Sequence, residues 1–77
     1  MTTVILDQNG IKTDKEVDFS SLKTVTDILK ALNINEETVL IFFKETPIPF
    51  DEKIEDIGRS NIHDGDFRIL KVIFDGL

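Results

Sequence analysis

An α+β fold, a mixed sheet of four to five strands clasping one main helix, is what this sequence predicts, on three observations. An apolar run meets an Asn-Gly turn and continues as an alternating stretch, which makes an opening hairpin. One segment then carries apolar residues at helical spacing. Two more apolar runs, Val39–Phe43 and Phe67–Phe74, supply the remaining long strands for that helix to lie on.

Val4-Ile5-Leu6 is the first strand, and it stops at Asp7-Gln8-Asn9-Gly10. Asn-Gly tolerates the positive φ that a two-residue hairpin turn requires. Beyond the turn, Ile11, Thr13, Val17 and Phe19 share one parity and Lys12, Asp14, Glu16 and Asp18 the other, which predicts a half-buried second strand with a wet outer face. Lys15 interrupts the inner parity and points to a sheet edge.

Ser20-Ser21 closes that strand. Thr24 followed by Asp27 is a weak capping box, and Val25, Ile28, Leu29 and Leu32 recur at i, i+3, i+4 and i+7 on one helix face. Lys30 near the end suits the helix dipole, and Asn33 can adopt the left-handed stop. A helix this short is marginal alone and must be held by the sheet.

After the polar turn Asn35-Glu36-Glu37, the run Val39–Phe43 is apolar on both parities, as a central strand or one with a covered outer face would be. Pro47 and Pro49 limit any strand between Lys44 and Pro49 to a short edge piece. Asp51–Arg59 reads as an acidic loop anchored by Ile54 and Ile57. His63-Asp64-Gly65-Asp66 reads as a tight turn before the last strand. The first and last strands, both apolar, become central neighbours with the helix across one face. This is the β-grasp arrangement, with residues 1–74 as the domain and 75–77 as a flexible tail.

Composition narrows the function. At 77 residues the chain buries only about 60% of its unfolded surface, which leaves little room for a private active site. There is no cysteine and a single histidine, His63, which excludes thiolate chemistry and disfavours zinc. Fifteen acids against nine bases give a net charge of −6, which argues against nucleic acid and for a basic protein partner. No apolar run approaches the ~18 residues of a membrane span, and no signal peptide is visible. A cytoplasmic monomer without cofactor is expected.

The segment Thr24-Val25-Thr26-Asp27-Ile28-Leu29-Lys30-Ala31-Leu32-Asn33 resembles the helix of the small sulfur carriers of thiamin and molybdopterin synthesis (ThiS and MoaD types), and of the ubiquitin-related and small archaeal modifiers beside them. Asn33 stands where those families tend to have glycine. Glu37-Thr38-Val39-Leu40-Ile41 resembles their third strand, and Asp64-Gly65-Asp66 with Phe67-Arg68-Ile69-Leu70-Lys71-Val72-Ile73 resembles their D-G-D turn and last strand.

The resemblance implies a protein that is itself no enzyme. Its C-terminal glycine would be adenylated by an E1-like partner of the ThiF/MoeB type. Sulfur would then displace AMP to leave a thiocarboxylate, or a lysine amine would displace it to form an isopeptide. A sulfur-accepting synthase is a further implied partner. Glycines suit such a tail because a chain without Cβ can thread a narrow channel to the α-phosphate. Here the tail reads Asp75-Gly76-Leu77, so Asp75 replaces the first glycine and Leu77 follows the second. Two readings stay open. In one, Leu77 is trimmed and Gly76 becomes the reactive end. In the other, the tail is inert and the domain only binds, since the Asp75 carboxylate would repel the ATP phosphates.

A docking face is expected on the sheet. Phe67, Ile69 and Ile73 share one parity of the last strand, and Arg68, Leu70, Val72 and Phe74 the other. If the first set meets the helix, Arg68, Leu70, Val72 and Phe74, with Ile41 and Phe43 of the third strand, lie on the open face as a partner patch. The aspartates of His63–Asp66 read as bonding local backbone N–H groups rather than a metal. Glu36-Glu37 and Asp51-Glu52-Glu55-Asp56 read as solvated faces, and Phe19, Phe42 and Phe67 as core.

Overall fold

The computed structural model describes residues 1–72. The strands are β1 (Thr2–Gln8), β2 (Ile11–Val17), β3 (Val39–Phe43), β4 (Thr46–Pro47) and β5 (Phe67–Lys71), and the helices are α1 (Val25–Ala31) and α2 (Ile54–Ile57). They form one sheet in the order β2-β1-β5-β3-β4. β1 and β5 run parallel at its centre, and the other pairings are antiparallel. The expected α+β architecture of a mixed sheet clasping one main helix is present.

The hairpin turns as its residues require: Asn9 has φ 53° and Gly10 φ 79°, the two left-handed positions of a tight turn. β2 keeps the expected parity, but its burial is less than expected. Only Val17 is buried, while Ile11 is 69% exposed. Val17, at the end far from the turn, joins the core cluster, while the turn end of β2 stays exposed. The strand also stops at Val17, before Phe19. Asp18 turns the chain by accepting the Ser20 hydroxyl at 2.6 Å and the Ser20 N–H at 3.0 Å, both of which hold its carboxyl below the usual range. Phe19 then enters the core from a single 3-10 turn.

α1 starts and stops on the predicted residues. The Asp27 carboxylate accepts the backbone N–H groups of Lys23 (2.9 Å) and Thr24 (3.2 Å). At the other end Asn33 has φ 58°, the Asn33 N–H bonds the Lys30 carbonyl and the Ile34 N–H bonds the Leu29 carbonyl. That double closure is the Schellman stop, in which a left-handed residue lets the last carbonyls find donors. Val25, Ile28 and Leu29 face the sheet fully buried, with Leu32 half-buried beside them.

The segment read as an acidic loop contains structure. Ile54 and Ile57 do anchor it, but on the one-turn helix α2, followed by a 3-10 turn at Arg59–Asn61. Such a turn is unfavourable alone and is held by tertiary bonds. The Ile54 N–H reaches the Lys23 carbonyl at 2.8 Å. The first amides of α1, Val25 and Thr26, bond the carbonyls of Glu52 and Phe50. Arg59 donates Nε to the Phe19 carbonyl (3.1 Å) and Nη2 to the Leu22 carbonyl (2.6 Å), tying this segment to the start of the helix.

Phe67 stacks on Phe19 at 5.5 Å and meets Phe43 at 4.9 Å between ring centroids. Phe19 and Phe67 are therefore core, as expected, but the rings packed against that core besides them are Phe43 and Phe50, not Phe42. At the turn before β5, Asp66 accepts the local His63 N–H, whereas Asp64 does not act locally: its carboxylate accepts the Thr3 N–H at 2.8 Å. With the Gly65 N–H on the Thr3 carbonyl, it clamps the start of β1 to the entry of β5.

Candidate functional site

The sheet face away from α1 is set by register. Ile41 pairs with Ile69 and Phe43 with Phe67, whereas Leu40 pairs with Leu70 and Phe42 with Arg68. Paired residues share a face. Ile69 and Phe67 are buried against the helix, so Ile41 (2% exposed) and Phe43 face the core as well. The expectation that Ile41 and Phe43 lie on the open face is corrected: Leu40 and Phe42 take those places. Arg68 and Leu70 are on the open face as expected, and Val72 is 43% exposed just past the end of β5. Phe74, Asp75 and Gly76 lie outside the described residues, as does the boundary between domain and tail at residues 74 and 75.

Two halves make up this face. Leu40, at 49% exposure, sits beside Leu70, with Val72 just beyond the end of β5, and these form the apolar half. Ile5 and Asp7 of β1 lie across from Arg68 and Leu70, and Lys12 and Asp14 of β2 lie beyond them, so charge dominates the other half. Arg68 marks the boundary. Its guanidinium carbon is 4.6 Å from the Phe42 ring centroid, Nη1 is 3.5 Å from Asp7 Oδ2, and Nη2 is 3.6 Å from Glu45 Oε2. Asp7 is only 8% exposed, and the arginine is the cation that accompanies its carboxylate into the sheet. Glu45 reaches Arg68 from a β3–β4 turn in which both Lys44 (φ 49°) and Glu45 (φ 67°) are left-handed. For residues with a Cβ that conformation costs about 1–2 kcal/mol each.

Leu40, Asp7 and Glu45 were not singled out by sequence, and Phe42 was read as core. β3 is apolar on both parities, so alternation could not say which residues face the helix. Asp7 did carry a signal, because it alternates with Val4 and Leu6, which meet the core.

Chemically the site offers contact and charge. Among the described residues no group of three His, Asp or Glu side chains could hold a metal ion. On the helix side, a groove of about 340 Å³ runs between Leu6, Gln8, Ile34, Thr38 and Lys71. No described helix is long and apolar enough to cross a membrane.

A helix clasped by this mixed sheet, with a half-apolar open face beside the outgoing last strand, defines a ubiquitin-like β-grasp protein. A solved structure of a Caldiarchaeum subterraneum ubiquitin shares the fold, with a TM-score of 0.55 at 18% identity over 97% of this chain and 98% of that one. The chain belongs to the family of small archaeal modifier protein 2, whose model matches residues 2–73. No curated protein matched it. It is thus a ubiquitin-like small modifier. Such proteins are generally not enzymes and typically work with E1-like enzymes.

Proposed function

We propose that the chain is a protein substrate of an adenylating enzyme of the ThiF/MoeB type and that Gly76 carries the activated carboxylate. A separate peptidase hydrolyses the Gly76–Leu77 peptide bond and frees that carboxylate. One of its oxygens attacks the α-phosphate of ATP and expels pyrophosphate. Hydrosulfide then adds to the acyl carbon, AMP leaves and the proton is lost, so a thiocarboxylate remains. The body needs no catalytic side chain for this. It serves as the handle that a partner grips, in the cytoplasm, before delivery to a sulfur-accepting synthase or to a lysine amine.

The observation that carries the reading is where β5 ends. This central strand closes at Lys71, and the Val72 N–H bonds the Thr38 carbonyl at 2.9 Å. Leu40, Leu70 and Val72 are gathered at that same end. An enzyme gripping the apolar half of the open face would hold the protein next to Val72, the residue that precedes 73–77 in the sequence. Leu70, Val72, Arg68 and Phe74 keep their proposed partner role, and Leu40 and Phe42 replace Ile41 and Phe43.

The test is incubation of the full chain with a peptidase able to remove Leu77, and in parallel of the chain ending at Gly76, each with an adenylating enzyme, ATP and a sulfide donor, followed by intact-mass spectrometry. Loss of Leu77 with replacement of one oxygen by sulfur is expected. Unchanged mass would instead support an inert tail on an interaction module, a reading favoured by the Asp75 carboxylate next to the reactive position. Asp75→Gly should raise the rate of adenylation, because a fixed negative charge near the phosphates is removed.

A further inference from the structure

The two edges of the sheet are built differently. β4 is two residues long and ends in Pro47, which shortens the edge and removes a donor. β2 is seven residues long, contains no proline or glycine, and is exposed on both faces except at Val17. Residues flanking a two-residue turn exchange hydrogen bonds, and Gln8 pairs with Ile11 across Asn9-Gly10. The alternation that follows directs the N–H and C=O groups of Lys12, Asp14 and Glu16 away from β1, along the open edge. Charged side chains on an edge strand, such as the inward-facing Lys15, ordinarily guard it, and against a second copy they do so where like charges fall opposite each other. β2 carries alternating signs instead, Lys12 and Asp14 on one face.

From this we propose that β2 pairs with β2 of a second copy, antiparallel about a twofold axis at Thr13, to join two sheets into one. In this register Lys12 lies opposite Asp14 of the second copy and Asp14 opposite its Lys12, a square of alternating charge. The outward amides of these two residues exchange hydrogen bonds across the join. Thr13 faces Thr13 in the closer, non-hydrogen-bonded position, and the aliphatic stem of Lys15 covers the exposed Ile11 side chain of the other copy. A register shifted to place the axis at Asp14 would also form two opposite-charge pairs, Lys12 with Glu16 of the other copy, but it adds Asp14 against Asp14 at the centre, and that repulsion disfavours it.

The chain has no native cysteine, so a single introduced thiol reports the register directly. Paired Thr13 Cα atoms should stand about 4.5 Å apart, within disulfide range. Thr13→Cys should therefore oxidise to a covalent dimer at least tenfold faster than Ile11→Cys, which faces Lys15. Sedimentation equilibrium should show the wild type associating as concentration rises to about 1 mM. Lys12→Glu and Asp14→Lys should each weaken self-association about tenfold or more, and their equimolar mixture should restore it, because the mixed pairs are again of opposite sign. These positions are exposed, so folding should be retained, and circular dichroism checks it. A wild type that stays single throughout, equal oxidation rates of the two cysteine variants, or a mixture no stronger than its components would overturn the proposal.

Discussion

Replacing Arg59 with alanine removes two hydrogen bonds that span 40 and 37 positions of sequence, to the carbonyls of Phe19 and Leu22. Bonds to a charged group contribute about 1.5–3 kcal/mol each when well shielded. Two facts lower the sum here. Arg59 is an exposed residue, and the Phe19 carbonyl also accepts the Leu22 N–H at 3.2 Å, so it keeps a partner. The expected loss is about 2 kcal/mol, most of it from the short bond to Leu22. Stabilities of about 0.05–0.15 kcal/mol per residue give this domain roughly 4–12 kcal/mol, so that loss is a large fraction. At 4–8 °C per kcal/mol for a domain of this size, Tm should fall by about 8–16 °C in a circular-dichroism or calorimetric melt. Arg59→Lys should recover no more than about half, because an ammonium lacks the planar fork that reaches two carbonyls together. A fall below about 2 °C, or full recovery by lysine, would refute the assignment of Arg59 as the tie between the two segments.

Leu29→Ala should lower the unfolding free energy by about 2–5 kcal/mol in urea titrations, since the side chain is 1% exposed beneath the sheet and leaves a cavity. The Asp27 carboxyl is held below its ordinary value of 3.8 by the N–H groups of Lys23 and Thr24. A depressed carboxyl stabilises the fold above its unfolded value and loses that contribution as pH falls through the folded one. The stability gap between wild type and Asp27→Asn should thus be constant near neutrality and shrink below pH 3.8 in melts taken across the acid range. Arg68→Glu, which reverses the cation over Phe42 and sets it against Asp7 and Glu45, should weaken capture by the adenylating enzyme. Surface plasmon resonance with an unchanged Kd would move the interface elsewhere.

Local chemistry was sufficient for much of this protein. Asn9-Gly10 could bend the hairpin, Asp27 could cap α1, Asn33 could end it, and the prolines could shorten β4. Each effect acts within a few residues and needs no distant neighbour. The pairing of β1 with β5 was legible too, because two apolar strands at opposite ends of the chain have no better place than the centre of a sheet. Other features depended on tertiary register. Which side of Val39–Phe43 meets the helix is undetermined when both parities are apolar, and only alignment with Phe67 and Ile69 sends Ile41 and Phe43 inward and Leu40 and Phe42 outward. The turn of α2, the reach of Arg59 and the bond from Thr3 to Asp64 join segments dozens of residues apart. Hydrogen bonds of that kind exist only once packing has brought their partners together, so no window of sequence contains them.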